Sequence, residues 1–207
     1  MKLDIVYQTD DFIIIYKPCG LSVHKDQSEI GLTTFVAKQL GVPQVWLVHR
    51  LDKVTSGLLI LALNAESAAE FFRLFSEHHI QKTYLALSNQ KPKKKQGLIV
   101  GDMQKARNSA WKLYPSKENP AITRFESVSC VPNLRLFILK PQTGDTLYGK
   151  NTENIDRTYL HAARLQFEFK GQAFDVFTLP KEGEWWHFDG VMSQIQKFGS
   201  ANAEPKK

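Results

Sequence analysis

Cysteine is scarce in this chain: two, Cys19 and Cys130, in 207 residues. Neither belongs to a CxxC pair, so the usual zinc and dithiol spacings are missing. A reduced compartment suits such a chain better than a disulfide-stapled exterior. No apolar run approaches the ~20 residues that would span a bilayer. Met1-Lys2-Leu3-Asp4 turns acidic at once and has no apolar signal core. There is no GxSxG elbow, which removes the simplest serine-hydrolase reading, and no internal repeat. Together these absences lead to the expectation of a cytoplasmic protein with no membrane partner and no metal.

The material for a core is present. Hydrophobic residues make up 43% of the chain and aromatic residues 11%. The length allows one large domain or two closely joined halves, and a single domain over 1–207 is expected. Formal net charge is +6 and the sequence pI is about 9.2. That balance fits a polyanionic partner such as RNA, and equally fits charge that only keeps a protein in solution.

Residues 3–7 and 12–16 read as strands around the turn signal Thr9-Asp10-Asp11. Lys17-Pro18-Cys19-Gly20 then breaks the pattern. A short helix is expected over 32–40, closed by Gly41 and Pro43. The run Leu58 to Leu63 reads as a buried strand. A helix follows from Asn64, a good N-cap, with Glu66 in its first turn. Ala68, Phe71, Phe72 and Phe75 are read as its apolar stripe, packing into a core. Residues 82–88, 121–130, 134–140, 160–169 and 173–178 read as further strands. In 121–130 neither side-chain parity is cleanly apolar, so that strand is expected at a sheet edge. The tail from Phe198 is expected to be loose. The pattern is β-rich with few helices, an α+β domain rather than a βαβ repeat.

One string stands out. His49-Arg50-Leu51-Asp52, followed by Thr55-Ser56-Gly57-Leu58, sets a carboxylate in a loop directly before a rigid strand. Catalytic residues often occupy such positions. The whole string resembles the signature HRLDxxTSG of the RluA family of pseudouridine synthases. Other elements resemble the family's in order. Tyr16-Lys17-Pro18-Cys19-Gly20-Leu21-Ser22-Val23-His24 is similar to its first motif. Lys82-Thr83-Tyr84-Leu85-Ala86 is similar to KxYxA, and Pro120-Ala121-Ile122-Thr123 to PAxT. Leu139-Lys140-Pro141-Gln142-Thr143-Gly144 resembles the opening of the third motif, and Leu160-His161-Ala162 the late LHA element.

The resemblance implies an RNA-modifying isomerase that flips a uridine out of RNA, detaches the base, rotates it and rejoins it through C5, with no cofactor. It implies a mixed, mainly antiparallel β-sheet with a central catalytic cleft and flanking helices. It assigns Asp52 as nucleophile, Tyr84 as the ring against the target base and an aid to proton removal from C5, and Arg50 as the filler of the vacated slot. Leu160 lines the pocket. The RNA is ribosomal or transfer RNA, and the protein is expected to act as a monomer. Many relatives carry an N-terminal S4-like RNA-binding domain. Here the first motif begins too early to leave room for one, so the short form is expected.

The residue chemistry agrees with these roles. With a reference pKa of about 3.9, an aspartate is an anion at neutral pH without help, and a carboxylate can form covalent intermediates. Unstacking a base costs a few kcal/mol, and an aromatic stack returns about 1–3 kcal/mol. The planar arginine cation both stacks and hydrogen-bonds. His49 is expected to hold the loop rather than act as a base, and Lys17 and Pro18 to shape the first-motif turn. Lys91-Pro92-Lys93-Lys94-Lys95, with Lys105 and Arg107 nearby, is either an exposed hairpin tip or a set of phosphate contacts that position RNA. The exact atom attacked by Asp52, ribose carbon or base, stays open.

One departure from the family pattern matters. The third motif ordinarily runs into a stretch like RTHQIRxH, whose basic residue pairs with the catalytic aspartate. Here Gly144 is followed at once by Asp145-Thr146-Leu147-Tyr148-Gly149, which resembles the later GDxxYG. Either the protein lacks the stretch, or the encoded protein carries a segment missing from this chain. The second is favoured because both flanks are family-like. The departure motivates a competing reading, a non-catalytic RNA-binding protein or RNA chaperone on the same fold. A third, an aspartate-nucleophile hydrolase acting on a nucleoside or glycoside, lacks a second carboxylate close to Asp52 in sequence.

Overall fold

The computed structural model describes residues 2–23, 31–105, 111–118, 120–143 and 159–201. In chain order the elements are β1 (Asp4–Gln8), β2 (Phe12–Lys17), α1 (Leu32–Leu40), β3 (Trp46–Leu47), β4 (Ser56–Ala62), α2 (Ala65–Ser76), β5 (Gln81–Ser88), β6 (Gln96–Lys105), β7 (Trp111–Tyr114), β8 (Ala121–Val131), β9 (Leu134–Thr143), β10 (Leu160–Phe169), β11 (Gln172–Phe177) and α3 (Asp189–Ala201), with a short 3-10 turn over Glu184–His187 before α3. They fall into two compact units, Met1–Ile80 with His161–Glu182, and Gln81–Leu160 with Gly183–Lys207.

In the first unit the strands lie in the order β1-β2-β4-β10, with β11 on β10 and β3 on β4. The ladders are antiparallel except β4 with β10, which is parallel. Strands β2 and β4 are flanked on both sides and buried on both faces. This is why they read as unbroken apolar runs rather than alternating ones. Beneath them Phe12, Phe71, Phe167, Phe169 and Phe174 interlock, with ring centroids 4.7–5.8 Å apart. Helix α2 closes this core. Asn64 caps it as expected, its side chain accepting from the Ser67 N–H at 2.8 Å. Of the anticipated stripe, Ala68 and Phe71 are buried and Phe75 is partly buried, but Phe72 is 53% exposed. Adjacent helix positions point about 100° apart, so Phe71 and Phe72 cannot share one narrow face.

In the second unit the order is β5-β9-β8-β6-β7, all antiparallel. Strand β8 is not at an edge: β6 covers one side and β9 the other. Its mixed pattern reflects half-exposed faces, not a free hydrogen-bonding edge. Helix α3 packs on β8, and its Val191 and Ile195 are buried. It extends to Ala201, so Phe198, Gly199, Ser200 and Ala201 are helical where a loose tail was expected; residues 202–207 lie outside the described residues. The mixed, mainly antiparallel sheet with flanking helices is otherwise as anticipated.

Candidate active site

The segment between β3 and β4 alternates anchors and exposed groups. Val48 and Leu51 are buried, Arg50, Asp52, Lys53 and Val54 are exposed, and Thr55 and Ser56 are buried again. The Thr55 N–H donates to the Asp52 carbonyl at 3.0 Å. Asp52 therefore opens a tight turn whose tip is Lys53-Val54, and aspartate is common at that first corner. The turn is closed by its backbone. The Asp52 carboxylate has no hydrogen bond or ion pair with any described residue, and neither has the Arg50 guanidinium.

A second turn braces the first. Lys17, at the end of β2, is fully buried (0% exposed). Its ammonium donates to the carbonyls of Pro18 at 3.1 Å, Leu21 at 2.7 Å and, more weakly, Lys53 at 3.4 Å. A buried ammonium is costly unless hydrogen-bonded, so these carbonyls dictate the path of the chain around it. The Gly20 N–H also donates to the Lys53 carbonyl, at 2.7 Å. Gly20 sits at φ +84°, where only glycine is unstrained. The Cys19 thiol donates to the Val54 carbonyl at 3.2 Å. Thus the carbonyls of both residues that follow Asp52, Lys53 and Val54, are held from the Lys17-Pro18-Cys19-Gly20 turn. Lys17 shapes that turn as expected and also ties it to the Asp52 turn.

His49 holds the loop from the other side. Its Nε2 accepts the Ile60 N–H at 2.9 Å, and its ring stacks on Phe75 at 4.5 Å. These two contacts tie the ring to β4 and α2. At the exit of the turn the Ser56 hydroxyl meets His161 Nδ1 at 3.0 Å, and His161 Nε2 meets the Thr178 carbonyl at 3.2 Å. A carbonyl only accepts, so Nε2 carries the proton, and in the neutral ring Nδ1 accepts from Ser56. Beside them Tyr16 donates its hydroxyl to Glu182 at 3.3 Å and accepts the Lys181 N–H at 3.0 Å. Burial pushes the Tyr16 phenol up to about 12. Sequence reasoning did not find the Ser56–His161 pair, although both residues stand inside the quoted motifs.

The remaining candidates belong to the second unit. Tyr84 lies in β5, opposite Leu139 of β9, and is 8% exposed. Leu160 opens β10 and is half-buried. The preceding Tyr159 stacks on Trp185, centroids 4.9 Å apart, and its carbonyl accepts the Leu87 N–H at 3.1 Å. Lys91, Lys93, Lys94 and Lys95 are exposed in the turn between β5 and β6. The Lys95 carbonyl is held there by the N–H and hydroxyl of Ser127, at 2.7 and 3.0 Å. Lys105 ends β6, its side chain outside the described residues. Arg107 lies outside them altogether, as does the Gly144-Asp145 junction. Among the described residues no group of three or more His, Cys, Asp or Glu could hold a metal, and no helix is long and apolar enough to cross a membrane.

Residues 11–146 match the family model described as RNA pseudouridylate synthase. The chain is 66% identical to a Haemophilus influenzae protein named as an uncharacterised RNA pseudouridine synthase, over 96% of both chains. That pairing runs over 216 aligned positions, more than the 207 residues present here, so the relative holds residues without a counterpart in this chain. The chain is 36% identical to the ribosomal large subunit pseudouridine synthase C of Rickettsia bellii over 68% of its length. It is 40% identical to the tRNA pseudouridine synthase C of Vibrio parahaemolyticus over 42% of its length. It spans 48% and 37% of those two relatives. The solved structure of human RNA pseudouridylate synthase domain containing 1 superposes with a TM-score of 0.72 over 99% of this chain and 97% of that one, at 21% identity, a likeness of fold. With a near-complete relative at 66% identity and a family match that takes in both the Asp52 turn and the Tyr84 strand, the chain belongs to the RNA pseudouridylate synthase family.

Proposed function

We propose that this protein isomerises a specific uridine to pseudouridine in ribosomal or transfer RNA, with Asp52 as nucleophile. The observation that carries the reading is the Asp52 carboxylate itself. It is exposed and unpartnered among the described residues, yet the peptides beside it are held by Lys17, Cys19 and Gly20. A surface carboxylate with no structural bond gains nothing from so rigid a seat, whereas a nucleophile does, because attack requires fixed geometry. Substrate and product are isomers. The N1–C1′ glycosidic bond breaks, a C5–C1′ bond forms, C5 loses a proton and N1 gains one, so the reaction balances without a co-reactant. The names of the Rickettsia and Vibrio relatives support ribosomal and transfer RNA as the substrate classes. Mapping pseudouridine across both RNA pools, with and without this protein, tests the proposal. Identical maps would overturn it.

Arg50, exposed on the same loop, takes the slot left by the flipped nucleotide. Leu160 lines the pocket, and Tyr84 lies against the base. If stacking is the chief role of Tyr84, Tyr84→Phe retains RNA affinity and Tyr84→Leu loses it, by about 1–3 kcal/mol. If the hydroxyl also moves the C5 proton, Phe loses rate as well. Wild-type rates and affinities in both variants would make Tyr84 a packing residue only.

Lys93, Lys94 and Lys95 contact phosphates beside the flipped uridine, and Lys105 and Arg107 extend the patch. Each phosphate contact releases counterions, with a slope of about −0.7 in log affinity against log salt for single strands. Replacing Lys93, Lys94 and Lys95 with Gln lowers affinity and flattens that slope, with the bound-state rate unchanged. Titrations across a salt series check this. Superimposable curves would leave the lysines as a solvated hairpin tip.

The competing reading, a non-catalytic RNA-binding protein, draws on the missing basic partner of Asp52. The family-like sequence on both flanks of the Gly144-Asp145 junction supports the view that the encoded protein carries a segment this chain lacks. A basic HQIR-like stretch encoded between Gly144 and Asp145 favours the enzyme. Its absence, with no uridine converted in a single-turnover assay, favours the RNA binder.

A further inference from the structure

We infer that His161 is a positioning residue for the Asp52 nucleophile, acting through the hydroxyl of Ser56. The inference rests on the assignment of Asp52 above. The strand that leaves the Asp52 turn, β4, is held along one edge by a long antiparallel ladder with β2, from Phe12↔Ala62 to Lys17↔Gly57. Its other edge meets β10 through only two parallel pairs, His161↔Ser56 and Ala162↔Gly57. Those pairs lie at the first two residues of β4, immediately after Thr55, whose N–H closes the Asp52 turn. So short a ladder specifies its register weakly by backbone alone. Here it is specified by side chains and by fit. His161 and Ser56 are fully buried and bonded at 3.0 Å. Gly57 presses so close to Ala162 that a Cβ would lie 2.2 Å from the Ala162 carbonyl oxygen.

Both ring nitrogens of His161 are occupied, Nδ1 by Ser56 and Nε2 by the Thr178 carbonyl. The ring has no exposed surface. It therefore does not reach substrate, and its contribution to the reaction is geometric. The Tyr16 ring of β2 lies beside it, its centroid 5.8 Å from that of His161. The pair is thus seated among β2, β4 and β10 at the point where the nucleophile turn ends. A shift of the order of 1 Å in a reacting group costs about a hundredfold in rate. Releasing Ser56 lets the exit of the turn relax by distances of this order.

The experiment is single-turnover conversion of a uridine in RNA by Ser56→Ala, His161→Gln, the double variant and Ser56→Thr, with RNA affinity measured in parallel. Ser56→Ala removes one oxygen and is the mildest probe. The expected result for it and for His161→Gln is a rate constant lower by about ten- to hundredfold, with end-point amplitude and RNA affinity unchanged. The double variant should be no slower than the worse single one, and Ser56→Thr, which keeps the hydroxyl, should recover most of the rate. Loss of amplitude at an unchanged rate constant means fewer folded molecules, and overturns the inference. Independent, multiplying losses overturn it too, because the two residues would then not act through one bond. Asp52→Asn run alongside separates the two assignments. If it is inactive while Ser56→Ala and His161→Gln match wild type, only the positioning role fails. If it turns over normally, the nucleophile assignment itself fails.

Discussion

Asp52→Asn is expected to abolish pseudouridine formation, by about three orders of magnitude or more, while RNA affinity and stability stay close to wild type. The substitution keeps the size and planarity of the side chain and removes the anion that attacks. The carboxylate bonds to no described residue, so its replacement leaves no described partner unsatisfied. An exposed change of this kind moves stability by less than about 0.5 kcal/mol. Single-turnover assays with labelled uridine, RNA titrations and thermal melts read the three quantities separately. Near-normal conversion would remove Asp52 from its assigned role. A melt lowered by many degrees would instead show that the carboxylate has a structural partner.

Gly57→Ala is expected to give the largest loss of stability among single-methyl additions in the first unit. Gly57 lies at φ +119°, which an L side chain rarely adopts. A Cβ there would fall 2.2, 2.7 and 2.8 Å from the O, N and C of Ala162. All three are backbone atoms, so no side chain can swing aside. Backbone strain costs about 1–3 kcal/mol and overpacking a further 1–3 kcal/mol, or about 2–6 kcal/mol together. For a chain of this length each kcal/mol lowers the melting temperature by about 2–4 °C, so a fall of roughly 10 °C is expected. Urea or thermal unfolding measures it. A native melting temperature would mean that β4 and β10 separate easily at this point. Gly57 follows Ser56, so the same variant should also disturb the exit of the Asp52 turn and lower the rate of the folded fraction.

Elements whose patterns are local were legible in advance. Helix α1 spans the expected residues 32–40, and β10 the expected 160–169. Asn64 announced α2 because a capping side chain acts within three residues of itself. Elements that depend on distant partners were not. Strands β6 and β7 follow a lysine-rich turn, and β6 exposes Leu98 and Ile99 on neighbouring positions. Its sequence does not alternate, and it is a strand because β8 pairs with it. Helix α3 contains Gly190 and Gly199, residues of low helix propensity. It forms against β8, where Gly190 permits close approach to the Cys130 carbonyl. Tertiary contact overrode local preference in both cases.

The sequence by itself determined the chemistry on offer. His49, Arg50, Asp52, the turn and the strand that follows fall within a few consecutive residues, so their order alone placed a carboxylate on a loop before a buried strand. Only the tertiary structure decided what holds that carboxylate in place. Lys17 reaches the Lys53 carbonyl across 36 residues, and His161 reaches Ser56 across 105. The physical reason is the range of the interactions. Capping, turn closure and amphipathic spacing act between near neighbours and leave a pattern in the sequence. A hydrogen bond between residues so far apart follows no period, and it exists only once β2, β4 and β10 lie side by side.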